Sequence, residues 1–267
     1  MTAIPAEYHN LIGAPHFAHL VTVNKDGGPQ SSPIWIVRDG DDILFATDAT
    51  YRKAKNMARE SRVAMTIRDE NNPYRYIELR GRAKLEPRDD YDFVDARTQE
   101  YMNQPEYPYK SDDAEGLLVR FRVTKASPHN TDDLPPAAEH PADISDLLAA
   151  PHFGHIATIN PNGSPQSSIV WIKHDGDDVV FWTTAGTRKV RNLARQPAVS
   201  VSSHDITNPY RYVELRGRAE VEPVGNDWSL LDELTPQYWQ ADEYPTKSEN
   251  VEGVVVRIKP RHQVSVG

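Results

Sequence analysis

The sequence contains no cysteine. That absence removes disulfides, thiolate metal sites and a cysteine nucleophile, and it fits a reducing cytoplasm. Also missing is any unbroken apolar run near the ~20 residues that a membrane span needs. With 267 residues and 38% hydrophobic content, a soluble globular protein is expected. The opening stretch MTAIPAEYHN has neither the basic start nor the apolar core of a secretory signal, which adds to the expectation of a cytoplasmic location. Positive charge is in deficit: 30 Lys plus Arg stand against 39 Asp plus Glu, a formal charge of -9. Nucleic acids and anionic membranes need a dominant positive field, so neither is expected as a partner, although a local basic pocket is still allowed. No GxGxxG or GxxxxGK loop follows a strand, which argues against Rossmann and Walker nucleotide sites, and no GxSxG elbow or HExxH helix supplies a hydrolase nucleophile or zinc.

What is present is a repeat. Pro15 to Pro87 aligns without a gap onto Pro151 to Pro223, with roughly 40 of about 73 positions identical. After one inserted residue the match resumes, EYPYK (Glu106 to Lys110) against EYPTK (Glu243 to Lys247), then GLLVRFR against GVVVRIK. Two homologous domains are expected, at 1–126 and 143–267, joined by the polar, proline-rich stretch 127–142 as an extended linker. Each half reads as a short helix (about Ala6 to Ile12; about Ile144 to Ala149), hairpins turning at KDGG or PNGS and at DGDD, a strand entering a basic helix, a long strand after NPYRY, a helix (about Asp89 to Tyr101 in the first half) and a last strand. About six strands and three helices per half with hairpin connections predict a mostly β antiparallel barrel, not a doubly wound parallel sheet.

The chemistry concentrates in the strand-to-helix turn. In VVFWTTAGTRKVRNLAR (Val179 to Arg195) and ILFATDATYRKAKNMAR (Ile43 to Arg59), a strand ends in threonine and a helix opens on Arg188-Lys189 or Arg52-Lys53. Basic side chains at a helix N-terminus oppose the helix dipole but reinforce an anion site, so a bound phosphate is expected there, set against a solvated basic face. The PQSS segments (Gln30, Ser31, Ser32; Gln166, Ser167, Ser168), each followed by a tryptophan (Trp35, Trp171), suit the edge of a heteroaromatic ring or ordinary turn chemistry. His16/His19 and His152/His155 have HxxH spacing, but residues three apart on a strand point to opposite faces, so packing or hydrogen-bonding roles are expected of them and no shared metal. In NPYRYIELRGRA and NPYRYVELRGRA, Glu78 and Glu214 are candidate structural partners for the interleaved arginines, and Tyr74, Tyr76, Tyr210 and Tyr212 are candidate proton donors on chemistry alone.

The combination of GxPQSS, an aromatic strand, FWTTAGTRKVRNLARQPAVSV and NPYRYVELRGRA resembles the pyridoxamine 5'-phosphate oxidase-like split β-barrel superfamily, above all its branch of flavin and deazaflavin oxidoreductases that use coenzyme F420. The resemblance covers both halves and implies two tandem FMN-binding-type split barrels fused as an intrachain pseudo-dimer, with cofactor sites at the interface between them. It further implies that Thr47, Arg52 and Lys53, and Thr183, Arg188 and Lys189, hold the cofactor phosphate, that Lys55 or Arg191 meets the remaining anionic part, and that the PQSS residues edge the ring. Asp48, Thr50 and Tyr51 depart from Thr184, Gly186 and Thr187. FMN and F420 share a tricyclic ring, a ribityl chain and a phosphate. F420 adds an anionic tail, which the further cations Lys55, Arg59, Arg62, Arg191 and Arg195 would serve. The expected activity is hydride transfer from reduced F420 to an electron-poor unsaturated small molecule, with an FMN-dependent oxidoreductase or a cofactor carrier as the rival readings. Further pairing of fused chains is left open.

Overall fold

The computed structural model describes residues 4–13, 16–69, 72, 74–111, 113–130, 147, 152–205, 211–239 and 241–266. The first half builds β1 (Ala18–Val23), β2 (Pro29–Ile34), β3 (Val37–Asp39), β4 (Asp42–Asp48), α1 (Arg52–Arg59), β5 (Arg62–Arg68), β6 (Tyr76–Pro87), α2 (Asp92–Met102) and β7 (Gly116–His129), after a 3-10 turn at Ala6–Leu11. The second half repeats the plan in β8 (Phe153–Ile159), β9 (Pro165–Trp171), β10 (Lys173–Asp175), β11 (Asp178–Thr184), α3 (Arg188–Arg195), β12 (Ala198–His204), β13 (Tyr212–Gly225), α4 (Ser229–Tyr238) and β14 (Gly253–Val266). Each half is a seven-stranded antiparallel sheet, in the order β2-β1-β5-β6-β7-β4-β3 and, running the other way, β10-β11-β14-β13-β12-β8-β9. The seventh strand is the three-residue β3 or β10, which the DGDD hairpin pairs with β4 or β11. The helix expected near Ile144 lies outside the described residues except for Leu147. β7 runs through His129, three residues into the stretch expected as linker, because Tyr76 pairs with His129 in the ladder and their rings stack at 4.3 Å.

β6 and β13 are the long central strands. A bulge opposite Arg80/Gly81, matched at Arg216/Gly217, bends the ladder. Only glycine fits there: a Cβ would lie 2.0 Å from the Arg122 carbonyl oxygen at Gly81 and 2.0 Å from that of Lys259 at Gly217. Arg75, at the entry to β6, is a structural residue. It donates to Asp69 at 2.7 Å and to Asn10, and Arg211 repeats the pairing with Asp205 at 2.6 Å. Arg80 and Arg216 reach Glu78 and Glu214 at 3.4 and 3.5 Å.

β1, β5 and β8 are buried on both faces. Leu20, Val63, Met65 and Ile67 fill the core of their own barrel, while the alternate residues turn to the other half, where Val21 and Ala64 pack on Ala157. Polar side chains in that seam are paired across it. His19 Nδ1 meets Ser202 Oγ at 2.7 Å, Ser202 meets Ser31 Oγ at 2.8 Å, and Ser31 N–H donates to Glu214 at 2.8 Å. The mirror chain runs from His155 to Thr66 at 2.7 Å, Thr66 to Ser167 at 3.1 Å, and Ser167 N–H to Glu78 at 3.2 Å.

At the centre the rings of His19 and His155 stack at 3.5 Å, with their planes 3° apart, and His204 Nδ1 joins His19 Nε2 at 2.8 Å. The ring nitrogens of the three histidines lie within 4.8 Å of one another. A metal must lie in the plane of each imidazole that binds it, and two parallel planes that far apart do not share such a point. The second histidine of each HxxH pair therefore serves the seam, each half contributing one ring to the stack.

Burial first, then the neighbouring histidines and Arg68, hold His19 and His155 well below the usual value of 6.5. The unfolded chain therefore binds more protons, and stability should be level above about pH 6.5 and fall below it by up to about 1.4 kcal/mol per pH unit for each ring. Denaturant melts between about pH 5 and 7.5 check this, with His155→Gln expected to flatten the slope. A wild-type profile that is already flat would contradict it.

Candidate cofactor site

The basic helices are anchored before they are exposed. Asn56 donates to Thr22 Oγ1 at 2.9 Å and to Asn24 at 3.0 Å, and Thr22 in turn donates to Gln30 at 2.8 Å. Asn192, Thr158, Asn160 and Gln166 repeat the relay at 2.9, 3.2 and 2.8 Å. Gln30 and Gln166 thus fix α1 and α3 against β1–β2 and β8–β9, all of it buried. These asparagines stand in both copies of the helix motif as RKAKN and RKVRN, the one signal that could have singled them out.

Neither helix has a side-chain N-cap or an acidic residue in its first turn. Their leading amides are left for another acceptor. The approach differs between halves. Gly186 adopts φ +73°, a conformation that glycine takes without strain. Thr50, in its place, does not take positive φ, and the first turn is closed by the Asp48 carboxylate, which accepts from the Thr50 amide at 2.7 Å and from its hydroxyl.

Beside the first turn lies a cavity of about 460 Å³. Its walls include Trp35, Thr47, Asp48, Tyr51, Lys53, Tyr91 and Tyr107 from the first half, with Tyr212 and Val266 from the second. It is a cleft of the seam. Trp35 is backed by Tyr101 at 5.3 Å. The Thr47 hydroxyl is buried with no partner, and the Lys53 ammonium, which has no carboxylate within ion-pair distance among the described residues, lies 5.7 Å from the centre of the Tyr51 ring. Burial lowers Lys53 to about 8 against the pull of Glu214 from the other half. Lys189 is lowered to about 8 in the same way, against Glu78. Each Arg-Lys pair therefore faces a glutamate of the opposite barrel. Burial raises both glutamates, with Arg52 among the charges opposing the rise at Glu214 and Arg188 at Glu78.

Not every residue singled out by sequence faces the cavity. Ser31 and Ser167 are committed to the seam, while the Ser32 and Ser168 hydroxyls are buried without partners. Arg52, Lys55 and Arg188 are exposed. Arg191 donates to the Gly186 carbonyl, closing its own turn. Arg59 bonds the Val23 carbonyl, Arg195 the Ile159 carbonyl at 2.6 Å, and Arg62 is held by Glu60 at 2.6 Å and the Asn162 carbonyl at 2.6 Å. These three cations are structural, because each satisfies a carbonyl or carboxylate where the helix meets the barrel. At the second-half counterpart Trp171 sits among aromatic rings and Thr183 is buried on β11. Of the tyrosines, Tyr212 lines the cavity and Tyr74 reaches over the seam to Trp239 at 5.5 Å; Tyr210 lies outside the described residues.

The sequence matches the family described as pyridoxamine 5'-phosphate oxidase twice, over residues 4–130 and 141–264. The chain belongs to that family. Its barrels form the intrachain pseudo-dimer that the tandem match implies. Among relatives of the pyridoxamine 5'-phosphate oxidase family, the chain is 38% identical over 80 residues to the pyridoxine/pyridoxamine 5'-phosphate oxidase of Photorhabdus laumondii, covering 29% of this chain and 36% of that one. It is 42% identical over 55 residues to the enzyme of that name from Serratia proteamaculans, covering 20% and 25% respectively. The matches thus span well under half of either relative. A solved structure named F420 reductase is 32% identical, covering 47% of this chain and 98% of its own, with a TM-score of 0.41. No helix among the described residues is long and apolar enough to cross a membrane.

Asn56→Ala should destabilise the chain by about 1–3 kcal/mol, since it orphans Thr22 and Asn24. Lys55→Ala, exposed on the same helix, should stay within about 0.5 kcal/mol. Denaturant melts distinguish the two; equal effects would remove the anchoring role.

Proposed function

We propose that this chain is an F420-dependent oxidoreductase reducing an unsaturated organic small molecule. The observation that carries the reading is a half-buried lysine with no carboxylate in ion-pair distance among the described residues and an unpartnered threonine hydroxyl, both on one aromatic-walled cleft. The volume of about 460 Å³ suits a ring cofactor, since such sites run to ~300–1,000 Å³. Thr47 and Lys53 would hold the phosphate, aided by the uncapped amides of α1, and Trp35 would flank the ring. When bound, reduced F420 supplies the hydride.

The chain's own residues position and exclude. Tyr91 and Tyr107, stacked at 6.4 Å, wall the cleft from water. Burial and then Glu214 raise the Tyr212 phenol, which keeps it protonated and able to donate a hydrogen bond to an acceptor oxygen. A phenol so raised is a poor acid, and water is the simpler proton source. An FMN-dependent oxidoreductase is the second reading. It is favoured by the commitment of Arg59, Arg62 and Arg195 to structural bonds, which leaves chiefly Arg52 and Lys55 for an anionic tail.

Titration of the purified protein with F420 and with FMN, followed by absorption and fluorescence, tests the reading. F420 should bind the more tightly, and Lys53→Ala should weaken it by about tenfold or more, ~1.4 kcal/mol, without lowering the melting temperature. FMN binding with no F420 binding would replace the first choice by the second. Because Lys53 loses its proton above about 8, affinity should fall as pH rises past that value, by up to about tenfold per unit. A pH-independent affinity would count against Lys53 as the anion contact.

A further inference from the structure

We infer that each chain holds one ring-and-anion ligand, in the first-half cleft, and that the corresponding place in the second half is closed by its own tryptophans. The inference rests on the proposed cofactor site and concerns which half supplies it. Position by position the two halves diverge here more than in the seam. Ala46 in the cleft wall corresponds to Trp182, Tyr91 to Trp228, and Met102 to Trp239.

The three indoles pack on one another's neighbours. Trp182 lies flat on Gly253, whose Cβ would stand 2.5 Å from it, and stacks on Trp228 at 4.7 Å. Trp228 stacks on Tyr244 at 5.6 Å. Trp171, the counterpart of Trp35, is covered by Tyr238 at 4.8 Å and Tyr244 at 5.9 Å, much as Trp35 is by Tyr101 at 5.3 Å and Tyr107 at 6.2 Å, and in addition by Trp239 at 5.4 Å, where the first half has Met102. An aromatic ring entering there would have to displace packed indoles and give up their ring-on-ring contacts.

The charge diverges in the same direction. In the first half Arg88 lies over Tyr91 at 4.7 Å and Arg97 over Phe93 at 5.3 Å, both on the cleft wall. The Nε of each is buried without a partner, while the Arg97 guanidinium is otherwise paired with Glu100 at 2.5 Å, which leaves Arg88 as the cation with no carboxylate in ion-pair distance among the described residues. Gly225 and Leu234 stand in their places in the second half. Aromatic walls with cationic donors recognise a planar molecule bearing an anionic group. A neutral indole stack does not.

The experiment is titration of the full chain with F420 and, separately, with FMN, read as ligand fluorescence to give stoichiometry and affinity. One equivalent per chain is expected. Ala46→Trp, which installs the second-half residue in the first-half cleft, should weaken binding by about tenfold or more. Ala46→Leu is the gentler variant should the indole disturb folding, and a thermal melt verifies both. Trp182→Ala should leave the first equivalent in place. Two equivalents on the wild type would overturn the inference while leaving the functional reading intact, as would one equivalent lost in Trp182→Ala and indifferent to Ala46. Failure of both cofactors to bind would remove the functional reading and this inference together.

Discussion

The seam between the barrels is the constraint from which the rest follows. Because β1, β5 and β8 are buried on both faces, their outward residues must be apolar or paired across the boundary. The stacked imidazoles of His19 and His155 mark its centre, and the serine, threonine and glutamate chains run outward from them toward the basic helices. Each helix is tied by a buried asparagine to its own barrel but faces a glutamate of the other. Neither half completes a site by itself, because Tyr212 and Val266 close the cleft that Thr47 and Lys53 open.

Fusion of the halves releases them from identity. In a symmetric dimer any substitution is made twice. Here Arg68 stands where the second half has His204, one lying over Phe153 at 4.8 Å and the other against Phe17 at 5.7 Å. Ser200 gives Glu214 a hydrogen bond at 2.9 Å, whereas Ala64 offers Glu78 none. The divergence of Ala46 from Trp182 belongs to the same series. It lies at the cleft, where a change in one copy alters binding without disturbing the shared seam.

Much of this was legible in the sequence because the repeat is local and regular. The alternation in HFAHLVTVN and the turns KDGG, PNGS and DGDD carry strand and hairpin information within a few residues. The Arg-Lys pairs read as an anion site because their charge opposes the helix dipole. What could not be read is set by contacts between distant residues. Ser31 looks like a ligand edge until Ser202 and Glu214 are seen beside it, and the packing role expected of His19 named no partner until His155 was seen lying on it. Nor does charge alone tell a ligand-binding arginine from Arg59 or Arg195, whose partners are backbone carbonyls of a neighbouring strand. The turn motif did not separate the two clefts, since the rings that differ come from β11 and from the residues flanking α4.

The most direct measurement is a crystal structure of the full chain grown with F420. The account predicts phosphate density within hydrogen-bonding distance of the Thr47 hydroxyl and the Lys53 ammonium, with the ring in the seam beside Trp35 and Tyr212. Density for the cofactor on one barrel alone, touching no residue of the other half, would contradict it.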